Sequence, residues 1–150
     1  MSIFRKEDYF SDEEKQRIVG AIKAAEKQTS GEIRVYIEKR CRFVDPLDRA
    51  AELFWGLKMD LTKERNGVLV YLAYKDRQFA VLADQGIHQK VGNEFWQKQV
   101  SVMKQHFVQE QPSEAIENVV TDIGKALHTH FPFNKDIDKN ELPDDIIFGK

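Results

Sequence analysis

The chain has 150 residues, 41% of them hydrophobic and 11% aromatic, which is typical of one globular domain that buries roughly two thirds of its unfolded surface. Its 23 Lys and Arg against 25 Asp and Glu give a formal net charge of -2, so there is no broad positive field for nucleic acid or anionic membranes. The first ten residues are too polar for a signal peptide, and the longest apolar run is far shorter than the ~20 residues of a membrane helix, so we expect a soluble cytoplasmic protein without membrane insertion.

The chain opens with a predicted helix and a predicted strand. Ser11 and Glu14 fit the S-x-x-E capping box, and Ile18, Ile22 and Ala25 follow at helical spacing. Residues 32–38 (EIRVYIE) then alternate between polar and apolar side chains. This alternation predicts a strand with one apolar and one polar face.

A crossover helix and a hairpin are predicted next. Asp45 and Pro46 can begin a helix whose buried stripe comprises Leu47, Ala50 or Ala51, Phe54, Leu57 and Leu61. Residues 67–74 (GVLVYLAY) are apolar on both faces, which indicates a central strand covered on both sides. Residues 75–77 then turn the chain, and residues 78–83 return as the hairpin partner.

The remaining sequence predicts two helices and a tail. Asn93 is expected to cap a helix with a stripe of Trp96, Val100, Met103 and Phe107, and Pro112 opens another with Ile116, Ile123 and Leu127. Trp55, Phe95 and Trp96 fit core stripes better than a stacking platform for bases. Residues 134–150 are too polar to add core, so deleting them should cost little stability, although Ile146, Ile147 and Phe148 could anchor the tail.

The fold class that follows is α/β, a three-layer α/β/α sandwich with a small mixed sheet and a core of about residues 10–131. A right-handed crossover makes the first two strands parallel, and the short turn makes the third antiparallel to the second. The end of the third strand, with Asp84, must then lie beside Arg65 and Asn66 before the second strand. Glu32, at the start of the first strand, belongs to the same end of the sheet.

This convergence predicts a candidate metal site. Carboxylates of Glu32 and Asp84, the Asn66 amide oxygen and loop carbonyls are the hard ligands that Ca²⁺ or Mg²⁺ takes, with Arg65, Gly31, Gly67 and Gly86 completing the edge. The alternative is purely structural. In it Asp84 and Asn66 cap turns, Gly67 and Gly86 supply positive φ angles, and Glu32 pairs with Arg34 or Arg65.

Other chemistry has little support in the sequence. The sequence has no GxSxG, P-loop, GxGxxG or paired-cysteine motif, and the single cysteine, Cys41, has no Cys-x-x-Cys partner. None of the four histidines has a Glu-x-x-His partner. Nucleophilic and nucleotide chemistry are therefore disfavoured.

Several motifs in order resemble the TPM domain family, in particular its bacterial soluble branch. They are TSGEIRV (29–35), RNGVLV (65–70), KDR (75–77), ADQGI (83–87) and VGNEFW (91–96), within a resemblance that spans about residues 10–131. The resemblance implies a mixed sheet with helices on both sides. It also implies divalent metal binding, with the metal at Glu32, Asn66 and Asp84, and weak acid phosphatase activity in some members.

Two functions follow from these observations. The first is a binding module that holds Ca²⁺ or Mg²⁺ at the sheet edge and engages a partner protein, as a monomer or weak oligomer. The alternative is a weak metal-assisted phosphatase acting on phosphate monoesters, in which Arg65 steadies the developing charge. The module is favoured, because the sequence places no nucleophile or histidine base at this edge.

Overall fold

A computed structural model describes residues 9–109, 111–133 and 145–149 of the chain. In chain order the elements are α1 (Asp12–Glu26), β1 (Glu32–Glu38), α2 (Pro46–Gly56), a 3₁₀ turn (Met59–Leu61), β2 (Gly67–Ala73), β3 (Gln78–Ala83), α3 (Gln85–Val91), α4 (Asn93–Val108), α5 (Pro112–His130) and β4 (Ile146–Phe148).

The four strands form one mixed open sheet in the order β3-β2-β1-β4. β1 runs parallel to β2 and β4, and β3 runs antiparallel to β2. The predicted parallel crossover and the hairpin closed at residues 75–77 are therefore confirmed, as is the α/β fold class.

Helices cover both faces of the sheet. On one face the odd-numbered side chains of β1, such as Val35, pack with α1, α3, α4 and α5 in the larger core cluster. On the other face Leu69 and Tyr71 of β2 pack with Ala50 and Phe54 of α2. The chain thus forms the three layers that the apolar character of both faces of β2 predicted.

Local signals set several element boundaries. Ser11 and Glu14 form the predicted reciprocal capping box of α1, and the Asp45 side chain accepts a hydrogen bond from the Leu47 N–H to cap α2. Pro112 occupies the first turn of α5 as predicted. At α4, however, the N-cap is Gly92 in a positive-φ conformation (φ 80°), and Asn93 is already helical.

The predicted strand over residues 32–38 is confirmed as β1. Its polar face is largely covered, because Glu32, Arg34 and Glu38 are all buried. The alternating pattern reports only that the two faces differ in polarity. It does not reveal that α2 and the following turn cover the polar face.

The buried stripe of α2 is also corrected. Ala50 and Phe54 are buried as predicted, whereas Leu47, Trp55 and Leu61 are exposed. α2 ends at Gly56, so Leu61 belongs to the 3₁₀ turn and does not continue the helical stripe. The core assignment of Trp55 was therefore wrong, while that of Trp96 is confirmed.

The C-terminal region contributes a strand that composition did not predict. Val35 pairs with Ile146 and Ile37 with Phe148 in the parallel β1–β4 ladder, and the Gly149 N–H donates to the Ile37 carbonyl at 2.7 Å. Ile146 is buried in the larger core cluster. The predicted tail thus adds a strand at 146–148 and one core side chain, Ile146, while residues 134–144 and 150 lie outside the described residues.

Candidate functional site

Strand register brings the predicted residues to one end of the sheet. Glu32 pairs with Gly67, and the Glu32 N–H donates to the Asn66 carbonyl at 3.3 Å. On the other side of β2, the Asp84 N–H donates to the Gly67 carbonyl at 2.9 Å. Glu32 and Asp84 therefore flank the Asn66–Gly67 segment from its two neighbouring strands.

The two carboxylates lie on the same face of the sheet. Side chains alternate between faces along a strand, and neighbours across a ladder share a face, so Glu32, Gly67 and Asp84 all face the α2 layer. Their backbones are two strand spacings apart, about 9.5 Å. The carboxylates thus approach this edge from opposite sides of β2.

Arg65 occupies the Asp84 side of this edge. Its Nε donates to Asp84 Oδ2 at 2.7 Å and its Nη2 donates to Asp84 Oδ1 at 2.8 Å, the two-pronged geometry that makes such pairs strong. This hydrogen bonding raises the pKa of Arg65 above its ordinary value. Arg65 also adopts a left-handed backbone conformation (φ 55°), which is uncommon for a residue with a side chain.

Asp84 also caps α3. Its Oδ1 accepts a hydrogen bond from the Gln85 N–H at 2.7 Å, and the side chain is only 5% exposed. The structural alternative for Asp84 is thus confirmed as one of its roles. The sequence did not predict α3 itself, because a short segment beginning Asp84-Gln85-Gly86 has the composition of a turn.

Asn66 carries an unsatisfied polar atom at the centre of the edge. Its backbone N–H donates to Thr62 Oγ1 at 3.2 Å and its Nδ2 donates to Ser30 Oγ at 3.2 Å. The residue is 1% exposed, and its Oδ1 is buried without a hydrogen-bond partner among the described residues. A buried carbonyl oxygen left in this state costs about 1–3 kcal/mol, so it calls for a ligand or another explanation.

The edge contains other oxygen atoms close to Asn66. Ser30 Oγ donates in turn to Glu64 Oε2 at 3.1 Å. The Met59 carbonyl oxygen lies 3.1 Å from the position that a Cβ on Gly67 would take, on the face shared by the two carboxylates. Backbone oxygen is therefore present beside the side-chain oxygens.

The glycines at this edge allow close packing and do not adopt the positive φ angles that the structural alternative expected. Among the described glycines only Gly92 has a positive φ, so this expectation for Gly67 and Gly86 was wrong. A Cβ on Gly86 would overlap the Glu64 carbonyl oxygen and lie 2.5 Å from the Arg65 carbonyl oxygen. A Cβ on Gly31 would lie 2.6 Å from Leu127 Cδ2. Gly86 thus allows the start of α3 to dock on the loop that carries Arg65, and its N–H donates to the Arg65 carbonyl at 2.8 Å.

Arg34 lies next along the same polar face. Burial lowers the pKa of Arg34, and the negative charges of Glu26 and Glu32 oppose that effect. Its neighbour Ile33 donates its N–H to Glu26 Oε2 at 2.7 Å. A buried guanidinium and carboxylates therefore share this part of the sheet, so Glu32 lies in a charged and enclosed environment.

A second polar cluster, which the sequence analysis missed, lies at the opposite end of β1. The buried Glu38 carboxylate accepts hydrogen bonds from Arg49 Nε at 2.9 Å, from Arg49 Nη2 at 3.0 Å and from the Tyr71 hydroxyl. Burial and the bond to Glu38 raise the pKa of Tyr71. The sequence contained one signal of this cluster. Glu38 ends a strand beside the apolar β2, where a buried carboxylate needs a cationic partner.

Two features are absent from the described ranges. No group of three His, Cys, Asp or Glu side chains there is arranged to hold a metal ion, so a cation at the Glu32 edge would also need Asn66 and backbone or water oxygens. No helix within those ranges has the length and apolar character needed to cross a membrane.

Comparisons with known proteins give consistent results. Residues 3–126 match the model of the TPM domain family. The solution NMR structure of the BA42 protein from the psychrophilic bacterium Bizionia argentinensis is similar, with 41% sequence identity, a TM-score of 0.86, and coverage of 95% of this chain and 97% of that one. No match was found among curated proteins.

Proposed function

Because the chain belongs to the TPM domain family, we propose that it is a binding module that holds a divalent cation, Ca²⁺ or Mg²⁺, at the edge formed by Glu32, Asn66 and Asp84 and that engages a partner protein. The observation that carries the proposal is the buried Asn66 Oδ1, which has no hydrogen-bond partner among the described residues, in a segment whose backbone lies between those of the buried Glu32 and Asp84. Carboxylate, amide and backbone oxygens are the ligands that these ions prefer.

The Arg65–Asp84 ion pair defines how a cation would enter. Both Asp84 carboxylate oxygens accept hydrogen bonds from Arg65, so the guanidinium occupies the position beside this carboxylate that a bound cation would take. The Arg65 side chain is 36% exposed and can move toward solvent without disturbing the core. Cation binding therefore exchanges one positive partner of Asp84 for another.

This exchange predicts opposite effects for the two members of the pair. Asp84→Asn removes a ligand charge and should abolish the stabilisation by Ca²⁺ or Mg²⁺, which for the wild type is about 2.7 kcal/mol at a hundredfold excess over Kd. Arg65→Gln removes the competing guanidinium and should tighten cation binding. The measurement is the melting temperature of all three proteins with and without each ion.

The controls separate a cation site from a purely structural role. Each variant is compared with its own ion-free melting temperature, so loss of the α3 cap does not enter the result. Titration of backbone amides by NMR should show the largest shifts at residues 30–32, 64–67 and 84–85. If neither ion shifts the wild type, or if Asp84→Asn responds as the wild type does, the edge is a helix cap and an ion pair only.

The phosphatase alternative receives less support from the geometry. Phosphoryl transfer at this edge would need Arg65 to stabilise the developing negative charge. The Nε and Nη2 groups of Arg65 instead donate hydrogen bonds to Asp84. Hydrolysis of a phosphate monoester with and without Mg²⁺ tests this alternative. Activity that is lost in Asp84→Ala would favour the enzyme.

Exposed apolar side chains support the partner-protein part of the proposal. Trp55 at the end of α2 is 59% exposed, and Leu61 in the following turn is 68% exposed. Tryptophan is enriched among the residues that contribute most to protein–protein binding. A photo-crosslinking residue at position 55 should capture a protein partner that the same residue at the exposed Glu13 does not capture, and equal capture at both positions would count against this surface.

A further inference from the structure

The end of the sheet opposite the proposed cation edge contains a cavity of about 840 Å³. It lies at the carboxyl end of β1, where Glu38 pairs with Ala73 of the parallel strand β2, and α2 contributes Arg49 and Glu52 to its lining. Open α/β sheets bind ligands in the crevice outside the carboxyl ends of their parallel strands. The position is thus one at which a ligand site is expected on topological grounds.

The polar side chains at the base of this cavity are joined by hydrogen bonds. Glu38 is fixed by the two-pronged hydrogen bond from Arg49 and by the Tyr71 hydroxyl, and Arg49 also bonds Glu52. The C-terminal segment packs closely against Glu38, because a Cβ on Gly149 would lie 2.8 Å from Glu38 Cβ and 3.0 Å from Glu38 Oε1. The base is therefore built from satisfied polar groups and needs no rearrangement to receive a ligand.

The rim of the cavity is positively charged. Lys39, Arg40 and Arg42 follow β1 and line it together with Arg49, while Glu38 and Glu52 are the carboxylates in its lining. Arg40 is paired with Asp76 of the hairpin turn at 3.0 Å, and Asp76 also accepts the Cys41 N–H at 2.8 Å, which holds the rim loop in place. Arg40 and Arg49 thus have carboxylate partners, whereas Arg42 forms no ion pair among the described residues.

Three aromatic rings also line the cavity. Phe43 is 37% exposed and Phe148 is 47% exposed, and the ring of Tyr36 lies beneath the Arg49 guanidinium at 5.8 Å. Exposed aromatic faces beside cationic groups are suited to a ligand with a flat apolar part and an oxyanion.

We infer that this cavity binds a small organic anion that combines a flat apolar group with a carboxylate or phosphate. Arg42 contacts the oxyanion, and Phe43 contacts the flat part. The inference is independent of the proposed cation site, which lies at the other end of β1, so either can fail without the other.

Binding is tested by NMR titration of the full chain with phenyl phosphate, benzoate, inorganic phosphate and the neutral analogue benzyl alcohol. The two aromatic anions should shift the amides of residues 39–43 and Gly149, and comparison of the two identifies the preferred oxyanion. Benzyl alcohol should leave these amides unchanged. Absence of shifts with every anion at about 10 mM, or equal shifts with benzyl alcohol, would overturn the inference.

Three variants locate the contacts. Arg42→Gln should weaken binding of the aromatic anions about tenfold, the effect expected for losing one charge-assisted hydrogen bond. Arg17→Gln, a matched change at an arginine of α1 outside the cavity, should leave the affinity unchanged. Phe43→Ala should weaken phenyl phosphate and spare inorganic phosphate. Equal loss in Arg42→Gln and Arg17→Gln would show only a general charge effect and refute the site.

Discussion

Replacing Ile146 by alanine tests whether β4 is part of the folded core. Ile146 is 8% exposed and pairs with Val35 of β1. The change removes three carbon atoms at about 0.8 kcal/mol each, which gives about 2.4 kcal/mol of lost transfer free energy. Because the strand lies at a sheet edge that can partly collapse into the space, the cavity contribution is small, and we expect a total near the lower end of the 2–5 kcal/mol range for such substitutions.

The assay is equilibrium unfolding in urea, followed by circular dichroism, with Ile147→Ala as the matched control. Ile147 lies on the other face of the same strand and is only partly buried, so its replacement should cost less than half as much. A free energy of unfolding for Ile146→Ala within about 0.5 kcal/mol of the wild type would refute the reasoning, as would equal losses in the two variants. In that case the compositional prediction that residues 134–150 contribute little would be correct.

Two further predictions follow from the glycines and from the buried tyrosine. Gly86→Ala should lower the free energy of unfolding by at least about 2 kcal/mol, because the new Cβ would overlap backbone carbonyl oxygen. Gly20→Ala should raise the free energy of unfolding by about 0.5–1 kcal/mol, because Gly20 lies in α1 with open space around it. Both are measured by urea unfolding, and changes of the same sign in the two variants would contradict this prediction. The pKa of Tyr71 is raised by burial and by the bond to Glu38, so the folded state favours the neutral phenol; this contribution is complete below the ordinary pKa of about 10 and is lost as the pH rises toward the folded-state pKa. Stability measured above about pH 10 should therefore fall less steeply in Tyr71→Phe than in the wild type, and parallel declines would show that Tyr71 is not responsible.

The sequence predicted the parts of the fold in which the hydrophobic and turn patterns are strong. β2 is apolar at nearly every position, so it could only be a central strand, and the Lys75-Asp76-Arg77 turn fixed the direction of β3. From strand direction alone, Glu32, Asn66 and Asp84 were placed at one end of the sheet. Their role as metal ligands stays a prediction.

The missed features depend on tertiary contacts. β4 has only three residues, too few to show a period, and its position is determined by the free edge of β1. The second residue of α3 is Gly86, whose significance is visible only beside the carbonyls of Glu64 and Arg65. Strand direction placed Arg65 beside Asp84, but that these two residues form an ion pair depends on side-chain geometry that the sequence does not give.

The pairing of β4 with β1 has a consequence for the order of folding. The ladder joins Val35 to Ile146, more than a hundred positions later in the chain, whereas β1, β2 and β3 are joined by shorter connections. Contacts between distant segments incur the larger loop-closure entropy and tend to form late. The three-stranded sheet can therefore assemble before β4 docks, and weakening β4 should accelerate unfolding while leaving the refolding rate nearly unchanged.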